Sequence, residues 1–275
     1  MSLLHLIIVA LVQGITEFLP ISSSGHLVLV PHLFGWQDQG LLIDVAVHVG
    51  TLMAVLIYFA RDTKGLFLGF LASLGVAPAR RAVAGTRYVS LFWILVVATL
   101  PVMAVGLVLA VTGLADAMRL VPIIAATSII FGVLLYVVDI KRPQDKTFEG
   151  ITMKVGFLIG LAQVLALIPG TSRSGITLTA ARQMGFKRTD AARFSMLLAI
   201  PTIIAAGLLA MLKLLQDGAD GAFLDAAIAG GLAFFAALVA IHFLMKWLAR
   251  ASMTIFVIYR VALGVGLFGW YFTVI

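Results

Sequence analysis

The sequence predicts an all-α polytopic membrane protein. It has six transmembrane helices plus two re-entrant helix-loop-helix hairpins, arranged as an inverted-topology repeat. Three observations carry this prediction. Of 275 residues, 62% are hydrophobic and 11% charged, against about 25% charged in a soluble domain. Two apolar runs are broken near their middles by small and polar residues, where a spanning helix wants about 20 uninterrupted apolar residues. The two breaks also match each other at a constant offset.

The first break is Gln13-Gly14-Ile15-Thr16-Glu17-Phe18-Leu19-Pro20-Ile21-Ser22-Ser23-Ser24-Gly25-His26, and the second runs from Gln163 through Pro169-Gly170-Thr171-Ser172-Arg173-Ser174-Gly175 to Thr177. An offset of 150 pairs Gln13 with Gln163, Ser22 with Ser172, Ser24 with Ser174, Gly25 with Gly175 and Gly35 with Gly185. The prolines are out of step by one. Matches at one offset in two broken segments point to an internal repeat. Backbone that leaves the helix at membrane depth must be buried in protein or line a wet cavity, and an ionisable group there marks a functional site.

In chain order, residues 3–19 form a half-membrane helix with Gln13 and Glu17 on one face, one turn apart. Pro20 ends it, and Ser24 to Phe34 return as a second short helix, closing the hairpin 3–34. Full spans are expected at 41–60, 90–112, 118–138, 191–212, 224–246 and 252–274. The 61–89 connection holds Arg61, Lys64, Arg80, Arg81 and Arg87, with an apolar piece at 66–76 expected to lie at the membrane interface. Asp139 to Glu149 is polar, residues 151–185 form the second hairpin, and Arg182, Lys187, Arg188 and Arg193 follow it. Residues 1–19 lack a basic start and a small-residue cleavage site, so they read as helix rather than signal peptide.

The net charge is +7, yet it does not indicate nucleic acid. Basic clusters in cytoplasmic loops account for it. With 61–89 inside, 139–150, 182–193 and 246–251 fall inside too. The 213–223 loop, with Asp217 and Asp220, and both termini then fall outside. The chain is a single membrane domain, 1–275, with repeat one at 1–138 and repeat two at 151–275. Each is one hairpin plus three spans, an odd number, so the repeats are inverted. Their broken tips should meet near the midplane, where such proteins place ligand sites. The sequence contains no cysteine, which excludes disulfides and thiol chemistry.

The tips offer a coherent chemistry. Ser22, Ser24, Gly25, Gly170, Ser172, Ser174 and Gly175 are small residues entering helices, where successive N–H groups bind anions. Arg173 adds a fork suited to phosphate oxygens, and an anionic partner would offset its cost of about 3 kcal/mol in the membrane. Glu17, helped by Gln13, supplies hard oxygen for a divalent cation. His26 offers acid, base or nucleophile chemistry. Ser23, Ser172 and Thr177 donate hydrogen bonds, or attack in the case of a serine. Structural alternatives stand beside these: packing for the small residues, an Arg173–Glu17 ion pair, a hydrogen-bonded core His26. Asp44 and His48 pair at i, i+4 in the first span, with structural and site roles both open. Arg260 reads as snorkelling or salt-bridged. His5, His32 and His242 show no zinc-ligand spacing.

The two motifs together resemble the undecaprenyl-diphosphate phosphatase family, the bacitracin-resistance type. Its acidic motif falls on Gln13 and Glu17 within QGITEFLPISSSGH, and its PGxSRSG motif on Pro169, Gly170, Ser172, Arg173, Ser174 and Gly175. The resemblance implies removal of the terminal phosphate from undecaprenyl diphosphate, recycling the lipid carrier for peptidoglycan synthesis. It also implies Mg²⁺ or Ca²⁺, a bacterial inner-membrane location with a periplasmic site, and membrane lipids as surroundings. A homodimer is compatible with it. On this resemblance Glu17, His26, Ser23 and Arg173 are catalytic and Glu17 and Gln13 hold the metal. Many members carry Glu where this chain has Gln13, and His48 receives no role. The type-2 phosphatidic acid phosphatases share Ser-Gly-His, but their motif lysine is replaced by Leu135, seven residues before Arg142-Pro143. The nucleophile stays open between His26, Ser23 and water. A transporter or flippase of a phosphate-headed lipid is the competing class, because inverted repeats with broken helices are also a transporter architecture.

Overall fold

A computed structural model describes residues 1–217 and 223–274. The protein is an all-α polytopic membrane protein. Among the described residues, six helices are long and apolar enough to cross a bilayer: α3 (Leu41–Tyr58), α6 (Tyr88–Thr112), α8 (Val121–Lys141), α11 (Arg188–Asp217), α12 (Phe223–Leu248) and α13 (Thr254–Val274). The shortest has 18 residues, about 27 Å at 1.5 Å per residue, close to the roughly 30 Å of a hydrocarbon core. Their outward faces are apolar, as at Leu107, Val111, Leu208, Val239 and Phe272, which suits lipid rather than water.

Two pairs of shorter helices occupy the broken segments. α1 (Leu3–Thr16) and α2 (Ser23–Phe34) form the first, and α9 (Met153–Gln163) and α10 (Arg173–Gln183) the second. None exceeds 14 residues, about 21 Å, too short to span alone. A 3₁₀ turn at Val164–Leu167 follows α9. Both returning helices start in the same way. Ser22 and Ser172 have φ of 76° and 71° and are the only non-glycine residues with positive φ among those described. Each caps its helix, with Oγ accepting from the Gly25 or Gly175 N–H. Such conformations cost about 1–3 kcal/mol each and persist where the surroundings over-determine them.

The packing is reciprocal between the halves. α1 lies on α12 as α9 lies on α6; α3 lies on α12 as α11 lies on α6; α3 pairs with α11 and α8 with α13. Glycine permits the closest crossings. A Cβ on Gly50 of α3 would sit 2.1 Å from the Gly230 carbonyl oxygen of α12, and one on Gly160 of α9 would sit 2.0 Å from that of Ala98 on α6. Small residues drive such contacts because lipid gives no hydrophobic reward for helix association.

Polar side chains tie helix ends together at one end of the bundle. Asp139, in the last turn of α8, accepts from Arg182 and Arg188 and from the Met253 N–H. Asp62 pairs with Arg193, and Arg87 donates to the Phe148 and Ile151 carbonyls.

Four expectations need correction. α8 runs three residues beyond its expected end, so Asp139 is a buried helix residue rather than part of a polar loop. Arg182 is not a loop cation: it has 0% exposure and donates to four carbonyls as well as to Asp139. The apolar piece expected at 66–76 belongs to a helix that starts earlier, α4 (Ala60–Ser73), followed by α5 (Ala77–Ala82). The 213–223 loop is shortened because α11 continues to Asp217, while Asp220 lies outside the described residues. A four-residue α7 (Leu114–Ala117) separates α6 from α8.

Candidate functional site

The two broken segments meet. A Cβ built on Gly25 would lie 3.6 Å from the Gly170 Cα, so the tips touch where both chains are smallest. Ser174 Oγ donates across the junction to the Leu19 carbonyl at 2.8 Å. Glu17 and Arg173, 156 positions apart, pair at 3.1 Å.

Glu17 is the hub. Its backbone N–H still bonds the Gln13 carbonyl, so helical geometry places Gln13 directly beneath it. Gln13 Nε2 donates to Oε2 at 3.0 Å and Ser23 Oγ to the same oxygen at 2.7 Å, while Arg173 Nη2 donates to Oε1. The Arg173 Nη1 donates to the Ser195 carbonyl at 3.1 Å, its Nε has no hydrogen-bond partner, and its side chain is 13% exposed. A half-buried guanidinium on the cavity wall, beside first-turn N–H groups that lack intrahelical acceptors, suits an anion.

A cavity of about 170 Å³ opens over this hub, lined by Glu17, Ser23, Ser24, His48, Ala166, Ser172, Arg173, Thr202, Ile203 and Ala206. Of the sequence-predicted residues, Glu17, Ser23, Ser24, Ser172 and Arg173 therefore share one wall. Gln13 lies behind Glu17. Ser22, Gly25, Ser174 and Gly175 shape the helix starts, and Thr177 is buried against Ser195 through a 2.7 Å hydroxyl contact. Gly170 is not part of the cavity lining, and its carbonyl accepts from Arg260.

His26 does not line the cavity. Its Nδ1 bonds the Ser22 carbonyl at 2.6 Å and its Nε2 the Tyr259 hydroxyl at 2.5 Å. A carbonyl only accepts, so Nδ1 carries the hydrogen and the Nε2 lone pair is already occupied by Tyr259. His48 does line the cavity, and sequence reasoning gave it no role. The signal was there, an ionisable residue inside a span, but the wall it joins comes from other helices. Thr202 on α11 was missed for the same reason.

Arg260 departs from expectation most. It neither snorkels nor meets a carboxylate among the described residues. It is 0% exposed, and its Nη2 donates to the Gly170 carbonyl at 3.0 Å and the Thr171 carbonyl at 2.8 Å. It thus holds the second tip by its backbone carbonyls, outside the cavity lining.

Glu17 offers a carboxylate, and the Gln13 Oε1 is buried without a hydrogen-bond partner. Both are hard oxygen donors, as Mg²⁺ and Ca²⁺ require, with substrate phosphates and water completing the shell.

Residues 6–266 match the family profile described as bacitracin resistance protein BacA. Curated relatives match nearly end to end. A protein of Roseobacter denitrificans called undecaprenyl-diphosphatase is 48% identical over 264 residues, covering 96% of this chain and 97% of its own. Proteins of the same description from Erythrobacter litoralis and Ruegeria pomeroyi are 44% and 49% identical, covering 98% of this chain and 100% and 98% of theirs.

Proposed function

The chain belongs to the bacitracin resistance protein BacA family, and on that premise we propose that it hydrolyses undecaprenyl diphosphate to undecaprenyl phosphate and inorganic phosphate. That reaction recycles the lipid carrier for peptidoglycan synthesis and confers bacitracin resistance. The observation that carries the reading to this chain is the Glu17–Ser23–Arg173 cluster facing one cavity at the junction of two helix starts.

The diphosphate head enters the cavity, and its prenyl chain stays in the bilayer. Arg173 and the first-turn amides of α2 and α10 bind the phosphoryl oxygens and stabilise charge as it develops. Glu17 and Gln13 would hold the cation, which supplies Lewis-acid polarisation of the phosphate oxygens when bound. Ser23 attacks in preference to His26. Its Oγ–H already donates to Glu17 Oε2, which accepts the proton as the oxygen bonds to phosphorus. His26, held between Ser22 and Tyr259, stiffens the start of α2.

The two halves, 1–138 and 151–275, act as inverted repeats. Their reciprocal packing and their matching capped serines support this arrangement. The helix pairs are re-entrant, the protein resides in the bacterial inner membrane, the cavity opens to the periplasm, and both termini lie on that side. The basic clusters support this orientation through the positive-inside tendency.

Phosphate release from a long-chain prenyl diphosphate by purified protein tests the reading. Release should require Mg²⁺ or Ca²⁺, stop with chelator, and be lost in Glu17→Ala. A folded protein that binds the lipid yet releases no phosphate would move the assignment to a lipid transporter.

A further inference from the structure

We infer that His48 is the base that activates the hydrolytic water in the second half of the reaction. The inference rests on Ser23 being the nucleophile. Attack by Ser23 leaves a phosphoserine, which water must cleave. That water needs a proton acceptor facing the same cavity.

The cavity walls leave one candidate. Ser24, Ser172 and Thr202 carry hydroxyls, Arg173 cannot accept, and Ala166, Ile203 and Ala206 are apolar. Glu17 accepts from three donors and has taken the Ser23 proton in the first step. His48 remains. Its Nδ1 lies 2.7 Å from the Asp44 carbonyl one turn earlier. Because a carbonyl only accepts, Nδ1 carries the hydrogen and Nε2 keeps its lone pair. Nε2 makes no hydrogen bond among the described residues, and the ring faces the cavity. The two half-buried histidines thus share one tautomer but differ at Nε2, which is engaged in His26 and open in His48. The backbone near His48 is closely packed: two residues on, Gly50 brings α3 against the α12 backbone.

The steps balance. In the first, Ser23 Oγ bonds to the terminal phosphorus and its proton goes to Glu17. The bridging P–O bond breaks, and its electron pair leaves on undecaprenyl phosphate. In the second, the water oxygen bonds to the phosphoserine phosphorus and gives a proton to His48 Nε2. The P–Oγ bond breaks and Oγ recovers the proton held on Glu17. Inorganic phosphate departs, and the imidazolium returns its proton to solvent.

Rapid mixing of purified protein with a prenyl diphosphate labelled in its terminal phosphate separates the steps. Prenyl monophosphate, free phosphate and protein-bound label are read together. His48→Gln should release about one prenyl monophosphate per protein at the wild-type rate, trap label on Ser23, and slow phosphate release on the order of 10²–10⁴-fold. Added imidazole should restore phosphate release in His48→Ala without altering the first burst. Normal turnover and no trapped label in His48→Gln would overturn the role of His48 alone. Loss of the burst in His48→Gln, with His48→Ala not rescued, would also overturn it, placing His48 outside the second step. Turnover in Ser23→Ala would instead remove the serine premise, and the inference with it.

Discussion

At the scale of single residues, the site is a contest for one carboxylate. Glu17 receives hydrogen bonds from Gln13, Ser23 and Arg173, and under the proposed function an incoming phosphate competes with it for the guanidinium. Removing either charge therefore has different consequences. Glu17→Gln keeps the shape but frees Arg173 and lifts a like charge from the anion's path. Inorganic phosphate should bind at least as tightly as to wild type while turnover collapses. Arg173→Ala should lose phosphate affinity and turnover together, the latter by about 10²–10³-fold as for other lost anion donors. Isothermal titration with phosphate beside a turnover assay separates the two, and equal phosphate affinity in both variants would refute the contest. Glu17 and Gln13 were legible because helical spacing alone joins them. Arg173 was legible because an arginine in a broken apolar run needs an anion. His48 was not, because its neighbours in the cavity come from α10, α11 and the two tips, and no local pattern encodes that convergence. Arg182 and Arg260 misled for the opposite reason: buried arginines that donate to backbone carbonyls, as both do, meet acceptors no residue type announces.

At the scale of elements, the broken helices matter because they are short and held by their neighbours. Proline, serine and glycine made the breaks visible in the sequence. Helix ends were less visible: hydropathy cannot tell that α8 continues through Asp139 once Arg182 and Arg188 neutralise that carboxylate inside the protein. The position of the second tip depends on how closely α9 lies on α6. Gly160→Ala puts a methyl group where the Ala98 carbonyl now sits, and overpacking of this kind costs about 1–3 kcal/mol. The variant should melt at lower temperature in detergent and lose turnover, because the shift moves Arg173 away from Glu17. Ala at Gly231, where a Cβ meets nothing within 4 Å, is the control and should leave both unchanged. Equal melting temperatures for the two variants would show that the α6–α9 contact is looser than described.

At the scale of the whole molecule, the arrangement commits each loop to one side. The absence of cysteine allows single-cysteine labelling without a prior background. A membrane-impermeant maleimide applied to intact spheroplasts should label Gln37→Cys, exposed in the turn before α3, and spare Ala84→Cys, exposed after α5. The reverse pattern would invert the molecule and turn the cavity toward the cytoplasm.

Arg260 ties that architecture to the order of synthesis. It lies in α13, yet two of the three carbonyls it donates to belong to the tip made some 90 residues earlier, the third being Thr127 of α8. A chain halted before Thr254 leaves those carbonyls without their donor. A chain that completes α13 before the tip has assembled leaves the guanidinium only the Thr127 carbonyl of α8 to donate to. Neither end can settle without the other. The tip and α13 therefore lock as a pair: the Gly170 and Thr171 carbonyls gain their donor only when Arg260 arrives beside them.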